Sequence, residues 1–308
     1  MFAKEEIERT ICKMKLRLMG AAALVAMLLP AASYSAGELA EAVEKQREMI
    51  VTANPLASAA GAKILKNGGT AADAMVAAQA VLGLVEPQSS GLGGGAFVVY
   101  YDAASGELTT FDGREKAPDT AEEDRFAGLG FITAWQSGLS VGVPGTPRIM
   151  EVVHERYGRK PWPRLLQPAI SLAQSGFELT QRTSDQVTRW LSPPFTTDCE
   201  NRVFFRDPIA FDYFANPDCT AKPAGTLIRN KAYANTLKAI RNGGADAFYF
   251  GPIADDIANA VQGDLAIAGD MTTEDLANYE VIERAPVCIK YREYDVCGMG
   301  PPSSGALA

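Results

Sequence analysis

Between residues 56 and 85 the apolar positions predict two helices in succession. Leu56 to Lys66 forms the first, which stops at Asn67-Gly68, a pair suited to a helix C-terminus. Thr70-Ala71-Ala72-Asp73 then reads as a capping box, with a hydroxyl at the N-cap and a carboxylate three residues on. The helix it opens runs to Val85 and is almost entirely Ala, Val, Leu and Met, so burial on most sides is expected. Pro87 follows its end. Ala96 to Tyr101, rich in β-branched and aromatic residues, predicts a strand. Asp102 to Gly106 is a turn, and Leu108 to Phe111 pairs back as a hairpin. A third strand is expected at Leu139 to Val143, stopped by Pro144-Gly145. Helical patterns return at Ile149–Tyr157, Leu165–Gln174, Ala232–Arg241 and Ile253–Val261. Residues 191–230 carry Pro, Asp and Asn without a period and read as an extended loop.

This alternation has no internal repeat and no linker-like stretch, and it predicts a single α/β or α+β domain. The first 35 residues stand outside it. Lys13, Lys15 and Arg17 precede an apolar stretch, Leu18 to Ala32, which ends in Ser33-Tyr34-Ser35-Ala36. A positive flank, a short apolar core and small residues at the end make residues 1–35 a secretory signal peptide, with the domain at 36–308. The stretch falls short of the ~20 residues that a bilayer span needs. The acidic opening Met1 to Thr10 suits no signal peptide, and Met14 is the more sensible start. Export is therefore expected, to a periplasmic or secreted location, with no membrane span in the mature protein.

Composition adds little to the fold but narrows the partners. The chain has 308 residues, 47% hydrophobic and 21% charged, an ordinary globular balance. Its net charge of −8 and the lack of a basic run after residue 17 speak against nucleic acid. Cys12 lies in the leader, leaving Cys199, Cys219, Cys288 and Cys297, an even number that suggests two disulfides in an exported chain. Four cysteines allow three pairings. Ile289 to Val296 reads as a tight hairpin that sets Cys288 opposite Cys297, so Cys199 with Cys219 would close a Pro- and Asp-containing loop. There is no C-x-x-C, and His154 is the only histidine, so no zinc site and no cofactor is expected.

Two motifs offer chemistry. The run Gly91-Leu92-Gly93-Gly94-Gly95 sits after a helix and before a strand, the reverse of a phosphate-cradling loop, so it reads as scaffold. Arg114, in Asp112-Gly113-Arg114-Glu115-Lys116-Ala117-Pro118, follows the hairpin, where a guanidinium can grip a carboxylate with two parallel hydrogen bonds. The plainer alternative is a surface ion pair with Asp112 or Glu115. His154 reads as a helix-surface residue without a role, and no triad or H-E-x-x-H is present.

Several segments in order resemble γ-glutamyltransferases, also called glutathione hydrolases. They are Asn54-Pro55-Leu56-Ala57-Ser58 with Gly68 to Ala74; Glu86-Pro87 leading to Ser90 through Phe97; Asp112 to Pro118; Val141-Gly142-Val143-Pro144-Gly145-Thr146; Pro168-Ala169-Ile170 with Gly176-Phe177; Ala247-Phe248-Tyr249; and Thr273-Glu274-Asp275-Leu276-Ala277. The resemblance implies an α+β fold, the four-layer αββα sandwich of N-terminal-nucleophile hydrolases, incomplete in this chain. It further implies a precursor that cuts itself, so that the new N-terminal threonine of a small subunit attacks the γ-glutamyl amide of glutathione. Water, or the amine of an amino acid or peptide, then accepts the glutamyl group. Arg114 matches the family arginine that binds the substrate's α-carboxylate. Pro301-Pro302-Ser303-Ser304-Gly305-Ala306 departs from the family's three prolines and Ser-Ser-Gly-Gly. The nucleophile is expected beyond Ala308, which leaves the chain a partial large subunit, poorly soluble and inactive by itself. A non-catalytic exported relative and a cephalosporin-acylase-like amidohydrolase of the same fold are the alternatives.

Overall fold

A computed structural model of the chain describes residues 48–305, apart from 201, 203, 204, 206 and 264–266. The expected leader, residues 1–35, lies outside the described residues. Helix α1 (Pro55–Lys66) starts where the Asn54 side chain accepts the Leu56 N–H, and it stops at Asn67. Helix α2 (Ala71–Val85) opens with both halves of the Thr70–Asp73 capping box in place. Asp73 does more than cap. Its fully buried carboxylate accepts the Thr70 N–H at 2.8 Å and also the Arg159 and Lys160 N–H groups at 3.1 and 3.2 Å. One side chain thus ties the start of α2 to the connection between α4 (Thr146–Tyr157) and α5 (Trp162–Ser175).

His154 belongs to the same knot, and its expected place on a helix surface is corrected. The ring is largely buried, with Nε2 2.8 Å from the Lys160 carbonyl and 3.5 Å from Asp73 Oδ1. The reason is the tight turn after α4, which folds the Lys160 backbone back over the helix's last turn.

Strands β1 (Ala96–Asp102) and β2 (Glu107–Gly113) form the predicted hairpin, with Val98 opposite Phe111. The third strand is not the expected one. The neighbour of β2 is β5 (Ile282–Arg284), giving the order β1-β2-β5. Residues 138–140 instead form a single 3-10 turn, and the Gly138 N–H goes to the Ile267 carbonyl. Only Val143 pairs like a strand residue, in an isolated bridge to Lys116. One face of this sheet packs Val98, Tyr100 and Phe111 against Ile149, Val153 and Tyr157 of α4. Along the opposite face Val99, Tyr101 and Ile282 are exposed.

The main core lies among helices. Leu165, Leu166 and Ile170 of α5 meet Val76 and Ala80 of α2, together with Leu237 and Ile240 of a later helix, α8 (Lys231–Gly243). The connections are α3 (Phe131–Trp135), β3 (Phe177–Glu178), α6 (Gln181–Trp190), α7 (Pro208–Phe214) and β4 (Leu227–Ile228). Residues 191–230 are therefore more than a loop. Asp207 caps α7 with Pro208 at its first position, and β4 pairs with β3. The Cys199–Cys219 disulfide, with Cα atoms 5.7 Å apart, closes this excursion. Short helices α9 (Asp246–Tyr249), α10 (Pro252–Gly263) and α11 (Thr273–Ala277) lead into β5.

The last two strands, β6 (Val287–Tyr291) and β7 (Tyr294–Gly298), make a hairpin apart from the three-stranded sheet. Cys288 faces Cys297 in a disulfide, next to the Lys290–Asp295 ion pair, on one face. The other face carries Val287, Ile289, Tyr291, Tyr294 and Val296, all exposed. Contiguous apolar surface of this kind marks a place for another chain or segment. No helix among the described residues is long and apolar enough to cross a membrane.

Candidate functional site

Arg114 is held by its backbone and left open at its side chain. Its N–H donates to Asp112 Oδ1 at 3.0 Å, and its carbonyl accepts the Tyr279 O–H at 2.7 Å. The second Asp112 oxygen takes the Arg284 Nε–H at 2.8 Å, so the β2–β5 pairing fixes the aspartate that fixes Arg114. Behind Tyr279 lies Tyr249, with parallel rings whose centroids are 5.7 Å apart. The Tyr249 hydroxyl donates to the Pro144 carbonyl at 2.8 Å. Burial pushes both phenols up from their ordinary range, which keeps them protonated as donors.

Two glycines allow the grip on this loop. A Cβ on Gly95 would sit 2.7 Å from the Glu115 nitrogen, and one on Gly145 would sit 2.0 Å from the Gly113 oxygen. Only a residue without a side chain fits either place. Between them the Gly94 carbonyl accepts the Gly145 and Thr146 N–H groups at 2.9 and 3.0 Å, capping the start of α4. The glycine run offers a carbonyl here, the wrong polarity for a phosphate cradle.

The Arg114 side chain, about half exposed, opens into a cavity of about 470 Å³ whose wall includes Lys116, Arg125, Leu139 and Gly142. Its nearest acid, Glu115, is 4.0 Å from Nε, a long and exposed contact of little energetic weight. A second cavity, of about 300 Å³, is lined by Pro87, Val187, Trp190 and Phe214. It has no ionisable group in its wall. The cysteines Cys199, Cys219, Cys288 and Cys297 line neither. Among the described residues no cluster of His, Cys, Asp and Glu is arranged to hold a metal.

Arg125 escaped the sequence reading. Its side chain is 11% exposed, and Nη2 donates to Asp270 Oδ1 at 2.7 Å. Its Nε and Nη1 are buried and meet no acceptor among the described residues. Each unsatisfied buried donor costs about 1–3 kcal/mol. No local pattern announces this arginine, because Asp270 lies 145 residues away.

The same segment pins the cavity wall twice. Asp275 Oδ1 accepts the Asp119 N–H at 2.7 Å, and Asp270 Oδ2 accepts the Thr120 hydroxyl at 2.6 Å. The Thr120 hydroxyl, and then Arg125, hold the Asp270 carboxyl below the usual carboxylate range. Burial would raise Asp275, but the amides of Asp119 and Thr272 outweigh it and lower that group too. A lowered carboxyl lends stability that is present above its unfolded value and is lost as the pH falls through the folded one. The Asp119 and Arg125 amides are therefore expected to exchange at a steady protected level down to about pH 4 and to lose that protection only below it. Hydrogen exchange followed by NMR between pH 6 and pH 3 checks this.

The family Gamma-glutamyltranspeptidase matches residues 57–308. The glutathione hydrolase proenzyme of Bacillus subtilis (strain 168) is 36% identical over 264 residues, covering 84% of this chain and 42% of that protein. Among solved structures, the Helicobacter pylori gamma-glutamyltranspeptidase superposes with a TM-score of 0.77 at 34% identity, covering 85% of this chain and 72% of that one. A cephalosporin acylase from Bacillus halodurans gives 0.66 at 29%, covering 82% and 47%. The chain spans about half the length of the curated relatives it matches. The fold is accordingly the αββα sandwich of N-terminal-nucleophile hydrolases, of which the described residues supply helices and the β1-β2-β5 sheet.

Proposed function

This chain belongs to the gamma-glutamyltranspeptidase family, and on that premise we propose that its cavity takes the γ-glutamyl end of glutathione or another γ-glutamyl amide, with Arg114 binding the α-carboxylate. One observation carries the reading. A half-exposed guanidinium, on a backbone held at both its amide and its carbonyl, opens into a cavity whose wall carries Arg114, Lys116 and Arg125 against one carboxylate, Glu115, in a chain of net charge −8. The planar fork of an arginine suits a carboxylate, and a positive cleft concentrates anions.

The acyl transfer belongs to a threonine outside residues 1–308, at the N-terminus of a small subunit cut from the same precursor. Its hydroxyl oxygen attacks the γ-carbonyl carbon, its own amine takes the proton, and backbone N–H groups hold the oxyanion. Collapse breaks the amide bond, and the departing amine takes that proton. Water or an acceptor amine then attacks the glutamyl ester and frees the threonine. No cofactor enters these steps. The protein is exported, with residues 1–35 removed and 36–308 forming one large-subunit domain.

The intact protein is expected to release p-nitroaniline from γ-glutamyl-p-nitroanilide and to carry a glutamyl adduct on an N-terminal threonine, read by mass spectrometry. A purified, sequence-verified 308-residue chain is expected to release none. Release by that chain would move the nucleophile into residues 1–308. Cleavage of a cephalosporin side chain in place of the anilide would favour the acylase reading, which the likeness to the Bacillus halodurans enzyme keeps in view.

A further inference from the structure

We propose that Arg125 forms a second anion site in the Arg114 cavity, one that selects γ-glutamyl peptides ending in a free carboxylate over γ-glutamyl amides that lack one. The proposal rests on Arg114 taking the α-carboxylate, and it adds where the other end of the ligand goes. Both arginines line the same cavity of about 470 Å³, a size that accommodates a small peptide.

Arg125 is the unusual member of the pair. A cation this far buried is ordinarily matched at all its donors, because a charge out of water needs compensation. Here Asp270 takes Nη2 alone, and it divides its own acceptor capacity with the Thr120 hydroxyl. Nε and Nη1 remain without acceptors among the described residues. Both are covered from solvent, so the proposal requires the side chain to turn about its Asp270 contact before a carboxylate can meet them. The cavity wall supplies no substitute. Its one carboxylate is Glu115, beside Arg114, while Lys116 is occupied by Asp119 at 2.7 Å.

The two guanidinia also share a frame. Residues 114–125 are one segment, fixed at Arg114 by Asp112 and Tyr279, at Asp119 by Asp275, and at its far end by Asp270. Two cationic groups on one braced segment suit a ligand with two separated negative charges. A γ-glutamyl peptide has them, in its α-carboxylate and its C-terminal carboxylate. A simple γ-glutamyl amide has only the first.

The test compares γ-glutamylglycine with γ-glutamylglycinamide as competitors of γ-glutamyl-p-nitroanilide in the intact protein. The wild type is expected to prefer the free acid by about tenfold or more, the effect of one charge-assisted contact. Arg125→Gln is expected to collapse that ratio towards one, and Arg125→Lys, which keeps the charge but loses the fork, to leave part of it. Should Arg125→Gln fail to fold by circular dichroism, the Arg125→Lys ratio decides. A wild type without preference, or variants that keep the wild-type ratio, would overturn the proposal. Arg114→Ala runs in parallel and is expected to weaken both competitors. If it weakens neither, the reading of Arg114 fails, and the Arg125 ratio still reports on its own site.

Discussion

Arg114→Ala is expected to weaken L-glutamate binding by the intact protein about 100-fold, the loss of two hydrogen bonds to a charged group. The urea midpoint should stay where it was, because the side chain is half exposed and its ion pair with Glu115 is 4.0 Å long. Fold and affinity separate at this residue because its backbone does the structural work. The hydrogen bonds to Asp112 and Tyr279 use the Arg114 amide and carbonyl, which alanine keeps. Arg114→Lys provides the sharper comparison. Lysine restores the charge but not the two parallel donors, so it should recover about tenfold of the lost affinity. Inhibition constants for glutamate, beside urea curves for each variant, measure both quantities. Full recovery by lysine would point to a diffuse electrostatic role. A shifted urea midpoint in the alanine variant would point to a structural one.

Asp73→Ala should have the largest effect on stability, a loss of about 3–4 kcal/mol in urea unfolding. The carboxylate is fully buried, and its oxygens serve the N–H groups of Thr70, Arg159 and Lys160. Truncation opens the α2 cap and takes from the Arg159 and Lys160 amides the acceptor they share at a part-buried place. Asp73→Asn keeps one acceptor oxygen and should cost about half as much. The knot lies behind the sheet, away from the cavity wall, so glutamate affinity in whatever fraction stays folded should be unaffected. A change below about 1 kcal/mol would mean that the α4–α5 connection finds other acceptors.

These two residues also show what a sequence can disclose. The Thr70–Asp73 box was legible because both partners lie within one helical turn, and capping chemistry is local. What Asp73 does for Arg159 and Lys160 was not legible, since those amides lie some ninety residues away in the chain. The β1–β2 hairpin could be read from a turn and two alternating runs. Its third strand could not, because Thr110 pairs with Arg284, and Leu139 to Val143 was the nearer and wrong candidate. Helix α6 had a cap signal in Thr180, but Gln181 to Trp190 has few apolar positions to announce it. Arg114, which lines the cavity, was singled out by its motif, whereas its braces, Tyr279 and Arg284, came from the far end of the described chain. Arg125 had no motif at all. Its significance lies in two unmatched nitrogens, which only three-dimensional neighbours can reveal.

The β6–β7 hairpin depends on two unrelated conditions. Two strands alone are barely stable in water, and among the described residues the side that holds Val287, Ile289, Tyr291, Tyr294 and Val296 is left exposed. Beside the strand pairing and the Lys290–Asp295 ion pair, the Cys288–Cys297 disulfide on the reverse side ties the two strands together covalently. Thiol oxidation is therefore expected to come before any covering of the apolar side. In a reducing cytosol the first step is withheld, and residues 287–298 become a loose β-prone segment of the kind that seeds aggregates. The choice of expression compartment would then decide whether the end of this chain emerges as a finished plate or as an adhesive.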